Sequence, residues 1–326
     1  MRRMIRRILL GLVGAPLLLL LGYAAGPVFP LDTRLAAIEL PRSHAALEQR
    51  LIASEQKLGD VVPGTEKHLR WAHPDRRRTP LAIVYLHGYS ASRQEVDPLC
   101  EELATALGAN VYYTRLAGHG RGAAAMGRVT GNDWLQDAAE AVAIGQRIGE
   151  RVVLIGTSTG GTLALWLAQQ GLTGAVAAQV LISPNLGPRP RASELLAGPW
   201  GAQLLSLAVG DEHRWQPRNA EQAKYWTWRH PSRALLPMMA VVREVRRGGF
   251  ERISLPTLII YSPQDTVVDP ARILEAHAQL GARNKPLLRI ERSGDPSNHV
   301  LAGRILAPDA TPRIRERILQ FLRASG

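Results

Sequence analysis

The sequence holds a single cysteine, Cys100, among its 326 residues. One cysteine cannot form an intrachain disulfide, and its isolation excludes the paired-cysteine motifs of structural zinc and redox sites. Cys100 lies in an apolar, helix-like stretch, so we expect it to be buried. The sequence also lacks a dinucleotide-binding fingerprint, a phosphate-binding loop and a metal-binding motif. We therefore expect no cofactor and no metal.

Lysine is scarce as well, although the net charge is +12. The positive charge comes mainly from arginines spread along the chain, with short clusters at residues 76–78 and 243–247. These clusters are not interleaved with aromatic residues, as they would be in a nucleic-acid-binding surface. We predict no nucleic-acid partner. A basic face toward anionic lipid and an arginine-rich solvated surface both fit the pattern, and composition favours the second.

The one long hydrophobic run is at the N-terminus. Four arginines within residues 2–7 precede an uncharged stretch whose most apolar part is residues 8–25. This part is longer than a usual signal-peptide core and close to the length that spans a bilayer. Residues 1–31 are therefore predicted to be a signal peptide or a membrane anchor, with membrane contact through residues 8–25. The arginines predict export of the remaining chain, either anchored or, after cleavage, secreted or periplasmic.

Residues 32–65 are predicted to be a linker that carries one amphipathic helix, from about residue 43 to residue 58. The charged residues of this helix, Glu55 among them, are expected to face away from its apolar side. The rest of the protein and a membrane are both open as partners of the apolar side. The leucines predicted to lie on that side are Leu47, Leu51 and Leu58.

From residue 66 the sequence alternates apolar, strand-like runs with helix-like segments. Strands are predicted at residues 67–71, 81–86, 110–114, 152–155, 177–182, 258–261 and 287–290. Helices are predicted at residues 95–107, 133–148, 161–170, 271–280 and 312–322. This alternation predicts an α/β fold with a doubly wound, mostly parallel sheet. The core is assigned to residues 66–183 and 250–326. The alternation of strands and helices is interrupted at residues 184–249, which are assigned to an inserted cap or lid.

A serine in a glycine-flanked turn is the strongest chemical signal. The apolar residues 152–155 lead into Gly156-Thr157-Ser158-Thr159-Gly160, and a helix-like segment follows at once. Strand, sharp turn and helix form the context in which Gly-x-Ser-x-Gly is a nucleophile elbow. The alternative is a glycine-rich loop of an ordinary α/β domain.

A serine nucleophile needs a base, and the base needs an acid to orient it. His299 lies in a loop between the last predicted strand and the last predicted helix, and Asp265 follows the preceding strand. Both positions are at the carboxyl edge of the sheet, where α/β proteins build their sites. The order serine, aspartate, histidine is that of the α/β-hydrolases. Asp269 and Asp295 are rival acids that also suit turn or helix-cap roles.

Acyl transfer also needs backbone donors for a developing oxyanion. The amide of Thr159, which follows the serine, is one candidate. The second is the amide of Tyr89, in the loop after the strand at residues 81–86. His87 and His119 are interpreted as histidines that brace loops.

From about residue 81 to its C-terminus the chain resembles the α/β-hydrolases, in the branch of the monoacylglycerol lipases and serine aminopeptidase-like esterases. By that resemblance Ser158 is the nucleophile, Asp265 the acid, His299 the base, and Tyr89 and Thr159 the oxyanion donors. The motifs that carry it are His87-Gly88-Tyr89-Ser90-Ala91-Ser92-Arg93, Arg115-Leu116-Ala117-Gly118-His119-Gly120, Gly156-Thr157-Ser158-Thr159-Gly160-Gly161, Ser262-Pro263-Gln264-Asp265 and His299-Val300.

The cap stretch is rich in tryptophan and apolar residues, which either line an acyl pocket or form the small core of the cap. An apolar pocket favours an ester with a hydrophobic acyl chain. The sequence therefore predicts a serine hydrolase that cleaves small-molecule carboxylic esters through an acyl-enzyme. An acyltransferase, a serine peptidase and a non-catalytic, membrane-tethered binding domain are the alternatives. The cap residues concerned are Leu195, Leu196, Trp200, Leu204, Leu205, Trp215, Trp226, Trp228, Met238 and Met239.

Overall fold

The computed structural model describes residues 21–325. Most of the predicted leader, including all of residues 1–20, lies outside this range. Within it, no helix combines the length and the apolar character that a membrane crossing requires.

A seven-stranded sheet forms the centre of the molecule. Its strands are β1 (His68–Arg70), β2 (Thr79–Leu86), β3 (Asn110–Tyr113), β4 (Gly149–Thr157), β5 (Val176–Ile182), β8 (Thr257–Tyr261) and β9 (Leu287–Arg289). They lie side by side in the order β1-β3-β2-β4-β5-β8-β9. Only β1 runs antiparallel to its neighbour, and all the other pairs are parallel. The mostly parallel sheet predicted from the sequence is therefore confirmed. A separate two-stranded ribbon consists of β6 (Glu212–Arg214) and β7 (Arg229–Pro231).

Both faces of the sheet are apolar and covered by helices. In β2, Val84 and Leu86 join one hydrophobic core, whereas Ile83 and Tyr85 join the core on the opposite face. This period of two explains why the strand is a continuous apolar run in the sequence. The helices are α1 (His44–Gln56), α2 (Leu99–Leu107), α3 (Ala123–Met126), α4 (Gly131–Ile148), α5 (Thr159–Gln169), α6 (Gly201–Ala208), α7 (Ala220–Tyr225), α8 (Leu235–Gly248), α9 (Pro270–Gln279) and α10 (Thr311–Ser325).

The helix predicted to begin at residue 95 begins later, at Leu99. A short 3-10 turn, Arg93–Glu95, precedes it. Pro98 accounts for the difference, because a proline disfavours helical backbone in the residue before it. Glu95 consequently lies in the loop after β2, and Cys100 is buried in α2 as expected.

Helix α1 packs on the sheet domain, and one charged residue of this helix is buried. Leu47 and Leu51 join the same core as α4 and α5. The prediction that Glu55 faces solvent is wrong, and Leu58 lies beyond the end of the helix. Glu55 is only 6% exposed, because its carboxylate accepts hydrogen bonds from Arg115 Nε at 2.6 Å and Nη2 at 2.9 Å. A buried carboxylate is tolerated when it is paired in this way.

The stretch predicted to be a cap contains the β6–β7 ribbon and the helices α6 to α8, between the end of β5 and the start of β8. Helix α8 contributes Val241 and Val245 to the core beneath the sheet. Among the described residues, the ribbon and the segment around α6 contribute no side chain to that core. Several of their side chains, described below, share a cavity with Ser158.

Candidate active site

Ser158 occupies a strained turn between β4 and α5. Its backbone has φ 52° and ψ −115°, a region that side-chain-bearing residues rarely adopt. The flanking glycines are required by space: a Cβ on Gly160 would lie 1.9 Å from the Leu86 carbonyl oxygen, and one on Gly156 would lie 2.5 Å from that of Gly160. The turn therefore explains why glycine occupies both of these positions in the sequence.

His299 and Asp265 are brought together from two different loops. The imidazole Nδ1 lies 2.8 Å from Asp265 Oδ2. The other carboxylate oxygen, Oδ1, accepts the backbone N–H groups of Val267 at 2.8 Å and Val268 at 3.0 Å. The Asp265 side chain is fully buried. Its orientation is thus fixed from one side, and its remaining oxygen is directed at the histidine.

The two rival aspartates have other roles in this structure. Asp269 caps α9, where its carboxylate accepts the N–H of Ala271 at 3.0 Å. Asp295 accepts the backbone N–H groups of His299 at 3.2 Å and Val300 at 3.0 Å, as well as bonds from Ser297. Asp295 therefore shapes the loop that carries His299.

The charges around His299 favour its protonated form. Burial by itself lowers the pKa of the imidazole. The Asp265 carboxylate, through its charge and its hydrogen bond, outweighs burial, and with smaller contributions from Asp295 and Glu95 it raises the pKa above its usual value. An imidazole in this setting is suited to accept a proton.

Ser158 and His299 line one cavity, but no hydrogen bond joins their side chains among the contacts of residues 21–325. In unliganded enzymes this contact is often long and shortens only when substrate is bound. Asp265 and His299 are therefore joined by a hydrogen bond, whereas Ser158 is placed with them only by lining the same cavity as His299.

The two predicted oxyanion donors have free amides. Across the described part of the chain, neither the N–H of Tyr89 nor that of Thr159 has a hydrogen-bond acceptor. Thr159 begins α5, so its amide also carries the positive end of the helix dipole. Both amides are available to bind a negatively charged oxygen.

The two histidines interpreted as loop braces make such contacts. His87 Nε2 accepts the N–H of Leu116 at 3.0 Å and its Nδ1 lies 2.9 Å from the Gly88 carbonyl oxygen. His119 packs edge-on against His87, with ring centroids 4.9 Å apart. Burial lowers the pKa of His87 to about 4, and it also lowers that of His119. Both rings are therefore neutral near pH 7.

Glu95 is a residue of the site that sequence reasoning did not select. Its Oε1 accepts the Gly88 N–H at 2.5 Å and the Tyr85 hydroxyl at 2.6 Å, directly behind the loop that carries the Tyr89 amide. Burial raises the pKa of this carboxyl to about 7, against the opposing effects of those two hydrogen bonds and of His299. The available signal was its position: Glu95 lies nine residues after the end of β2, at the sheet edge where α/β proteins build their sites.

The cavity that Ser158 opens into has a volume of about 590 Å³. Its walls are largely apolar, with Asp295 as the one carboxylate among the lining residues of the described chain. Of the tryptophans predicted for the cap, Trp215 and Trp226 line this cavity, whereas Trp200 is exposed at the surface. The other predicted pocket residues that line it are Leu196, Met238 and Met239.

An open, mostly parallel sheet with such a strand–serine–helix turn at the end of a central strand is the architecture of the α/β-hydrolases. Within this class, the chain belongs to the family whose model is described as serine aminopeptidase, S33, which matches residues 78–293. That match includes the segments of Ser158 and Asp265 and ends before His299.

Three relatives illustrate the likeness. A thermostable monoacylglycerol lipase of Bacillus sp. (strain H-257) is 25% identical over 216 residues, covering 66% of this chain and 82% of the relative. A structure from work on the metagenome-derived lipolytic enzymes LipS and LipT is 27% identical, with a TM-score of 0.65, and covers 81% of this chain and 99% of that one. A soluble variant of monoglyceride lipase from Saccharomyces cerevisiae, at 13% identity and a TM-score of 0.63, covers 92% of this chain and 99% of that one; it supports the fold alone.

Proposed function

We propose that this protein is a serine hydrolase that cleaves carboxylic esters with apolar acyl chains through an acyl-enzyme. The observation that carries the proposal is the Asp265–His299 hydrogen bond of 2.8 Å beside an apolar cavity that also contains the elbow serine. An oriented base next to a serine is the arrangement that makes a hydroxyl nucleophilic.

In the proposed reaction, Ser158 Oγ attacks the ester carbonyl carbon while His299 Nε2 takes its proton. The C–O bond to the alcohol then breaks, and Nε2 returns the proton to the leaving oxygen. Water attacks the acyl-enzyme in the same way, its proton passes to Nε2, and the carboxylic acid leaves as Ser158 regains a proton. Asp265 holds the imidazole by its Nδ1 and stabilises the positive charge that forms there.

The free amides of Tyr89 and Thr159 are assigned to the oxyanion. Each tetrahedral intermediate carries a negative oxygen, and pre-oriented N–H groups stabilise it without reorganisation. Loss of one such donor typically costs about 10²–10³ in kcat.

The cavity favours a lipid-like ester over a peptide. A peptidase that binds a free amino terminus needs a carboxylate to pair with it, but Asp295 is already bonded to its own loop. Trp215, Trp226 and Met239 instead offer an apolar wall for an acyl chain. The monoacylglycerol lipase and lipolytic relatives support the same substrate class.

A fluorophosphonate probe tests the nucleophile. Wild type should be labelled and Ser158→Ala should not, whereas Ser193→Ala, a serine that lines the same cavity, should label like wild type. Absence of label on the wild type would favour the non-catalytic binding domain. Equal labelling of Ser158→Ala would mean that another residue is the nucleophile.

A substrate panel tests the class of bond. Rates for p-nitrophenyl esters of increasing acyl length are compared with those for aminoacyl amides, with and without an added alcohol. Preference for the longer esters is the expected result. Faster cleavage of the amides would favour the peptidase reading, and transfer of the acyl group to the alcohol in place of water would favour the acyltransferase.

A further inference from the structure

An apolar patch lies on the outer side of the cap, and we call it the cap patch. Six large apolar side chains in two segments, residues 21–28 and 195–209, are more than a third exposed. Leu207 on α6 is the extreme case at 85% exposed. Single exposed apolar residues are ordinary, but a cluster of this kind marks an interaction surface. Its members are Leu21, Val28, Leu195, Trp200, Leu207 and Val209.

The two segments of the cap patch are bonded to each other. The backbone N–H of Trp200 donates to the Pro27 carbonyl at 2.8 Å, and its indole N–H donates to the Gly22 carbonyl at 3.1 Å. Val28 and Pro199 form an isolated antiparallel bridge. The patch is therefore one surface, assembled where the chain emerges from residues 1–20.

The second segment of the cap patch has the uncharged composition of a helix that contacts an apolar surface. Residues 195–210 contain no charged residue, in a chain of which 21% of residues are charged. Leu205 is the buried anchor of α6, whereas its outward positions carry alanine, glutamine, serine and leucine. A surface helix that faces water normally has charge on its outer side, so this face is suited to an apolar contact.

Arginines border the cap patch. Arg243 donates to the carbonyl oxygens of Ala197 at 2.7 Å and Phe29 at 2.9 Å, and so joins both segments. It lines a cavity of about 440 Å³ with Arg246, Arg247 and Arg272. Within the described chain, Arg246 and Arg272 are paired with glutamates, but no carboxylate pairs with Arg243 or Arg247. Among residues 21–325, the Arg243 guanidinium is bonded only to these two carbonyls and Arg247 to no acceptor, so neither positive charge is neutralised. Such charges beside an apolar surface match the phosphates of anionic lipid.

The same segment reaches the active-site cavity. Leu196 lines the cavity that contains Ser158, and its neighbour Leu195 is exposed in the cap patch. The segment thus separates cavity from surface by a single layer of chain.

We propose that the cap patch docks on an anionic lipid bilayer, so that lipid esters enter the cavity from the bilayer. The arginines contact the phosphates, and Trp200 and Leu207 enter the interfacial layer. The route of entry rests on the proposed esterase function, whereas the docking itself does not.

Docking is tested with the full chain in phosphatidylcholine vesicles containing phosphatidylglycerol. Brominated lipids should quench part of the tryptophan fluorescence, and Trp200→Phe should remove that part. Quenching should weaken when phosphatidylglycerol is omitted. If brominated lipid quenches wild type and Trp200→Phe equally, the proposal is overturned; a fold-back of residues 1–20 onto the patch would give that result.

Entry from the bilayer is tested with two substrates. Leu207→Asp should lower the rate on a monoacylglycerol in vesicles by about tenfold or more, because a leucine leaves the lipid and a charge replaces it. Its rate on p-nitrophenyl acetate in solution should not change. The matched control is Ile52→Asp on α1, which likewise replaces an exposed apolar side chain with aspartate but lies outside the cap patch, and it should affect neither rate.

The outcomes separate the two proposals. Equal rates for Leu207→Asp and wild type on the vesicle substrate, or an equal loss on both substrates, would contradict entry from the bilayer. If wild type hydrolyses neither substrate, the esterase proposal fails, and the quenching measurement still decides whether the cap patch docks.

Discussion

The buried carboxyl of Glu95 should make the stability of this protein depend on pH in an unusual direction. Most carboxylates in folded proteins are stabilised in their ionised form, and stability is then lost on acidification. At Glu95, burial raises the pKa to about 7 from an ordinary value of 4.5. Folding therefore favours the protonated carboxyl.

The direction in which stability changes with pH follows from the number of protons bound in each state. Between about pH 4.5 and 7 the folded chain keeps a proton on Glu95 that the unfolded chain has lost, so stability falls as pH rises through this window. Below it the carboxyl is protonated in both states, and above it the loss is complete. At 1.36 kcal/mol for each pKa unit, the total is roughly 3 kcal/mol.

Glu95→Gln isolates this effect. The carboxamide oxygen can still accept the Gly88 N–H and the Tyr85 hydroxyl, but the side chain cannot ionise. The free energy of unfolding of the variant minus that of wild type should therefore rise by roughly 3 kcal/mol between pH 4.5 and 7.5 and then level off. Urea unfolding of the full chain at each pH gives this difference.

The control is Glu150→Gln, which removes an exposed glutamate and reports what the loss of any carboxyl does to the stability curve. A Glu95→Gln difference that does not change with pH, or that grows on acidification, would refute the reasoning. Either result would mean that folding does not raise the pKa of this carboxyl.

Three further substitutions test other parts of the structure. Arg115→Ala leaves Glu55 as an unpaired buried charge and should lower the free energy of unfolding by about 3–5 kcal/mol in urea unfolding; a change under about 1 kcal/mol would mean that the pair is hydrated. Gly160→Ala places a Cβ 1.9 Å from the carbonyl oxygen that ends β2, so fluorophosphonate labelling should be lost. Gly174→Ala, where the added Cβ meets nothing within 4 Å, should label normally, and equal labelling of both variants would contradict the steric argument. Asp265→Asn should lower kcat about 10⁴-fold while the fold is kept, as circular dichroism can verify, and an unchanged kcat would remove the aspartate from the mechanism.

The sheet could be predicted because its signal is local. Each central strand is an apolar run, and each is followed by a turn and a helix with its own period, so neighbouring residues carry the information. The elbow around Ser158 is equally local, because Gly156 and Gly160 are required by contacts within the turn itself. For the same reason the class of fold followed from the sequence.

The burial of Glu55 could have been inferred from helical spacing but not its partner. Leu47, Leu51 and Glu55 are four residues apart, so all three lie on one face of α1. A charge on an apolar face has to be paired if the face is buried. Arg115 lies 60 residues further along the chain, and only the folded structure shows that it is the partner.

The cap was the least predictable part. Its segments are short and irregular, so no period distinguishes inward from outward positions. The sequence offered no basis for distinguishing the cap tryptophans from one another. In the structure, Trp226 is 7% exposed at the cavity, whereas Trp200 is 39% exposed in the cap patch. Which of them lines the cavity depends on packing between segments far apart in the chain.

The three carboxyl groups around His299 differ in the number of hydrogen bonds that each accepts. Asp265 is held by two backbone N–H groups as well as the imidazole, and Asp295 by three backbone N–H groups and a hydroxyl. Glu95 receives one N–H and one phenol, and burial outweighs them. The aspartates thus supply negative charge to the imidazole. Glu95 is largely protonated below pH 7, so it adds little negative charge. It lies behind the loop whose Tyr89 amide we assign to the oxyanion, and a carboxylate there would repel that oxyanion.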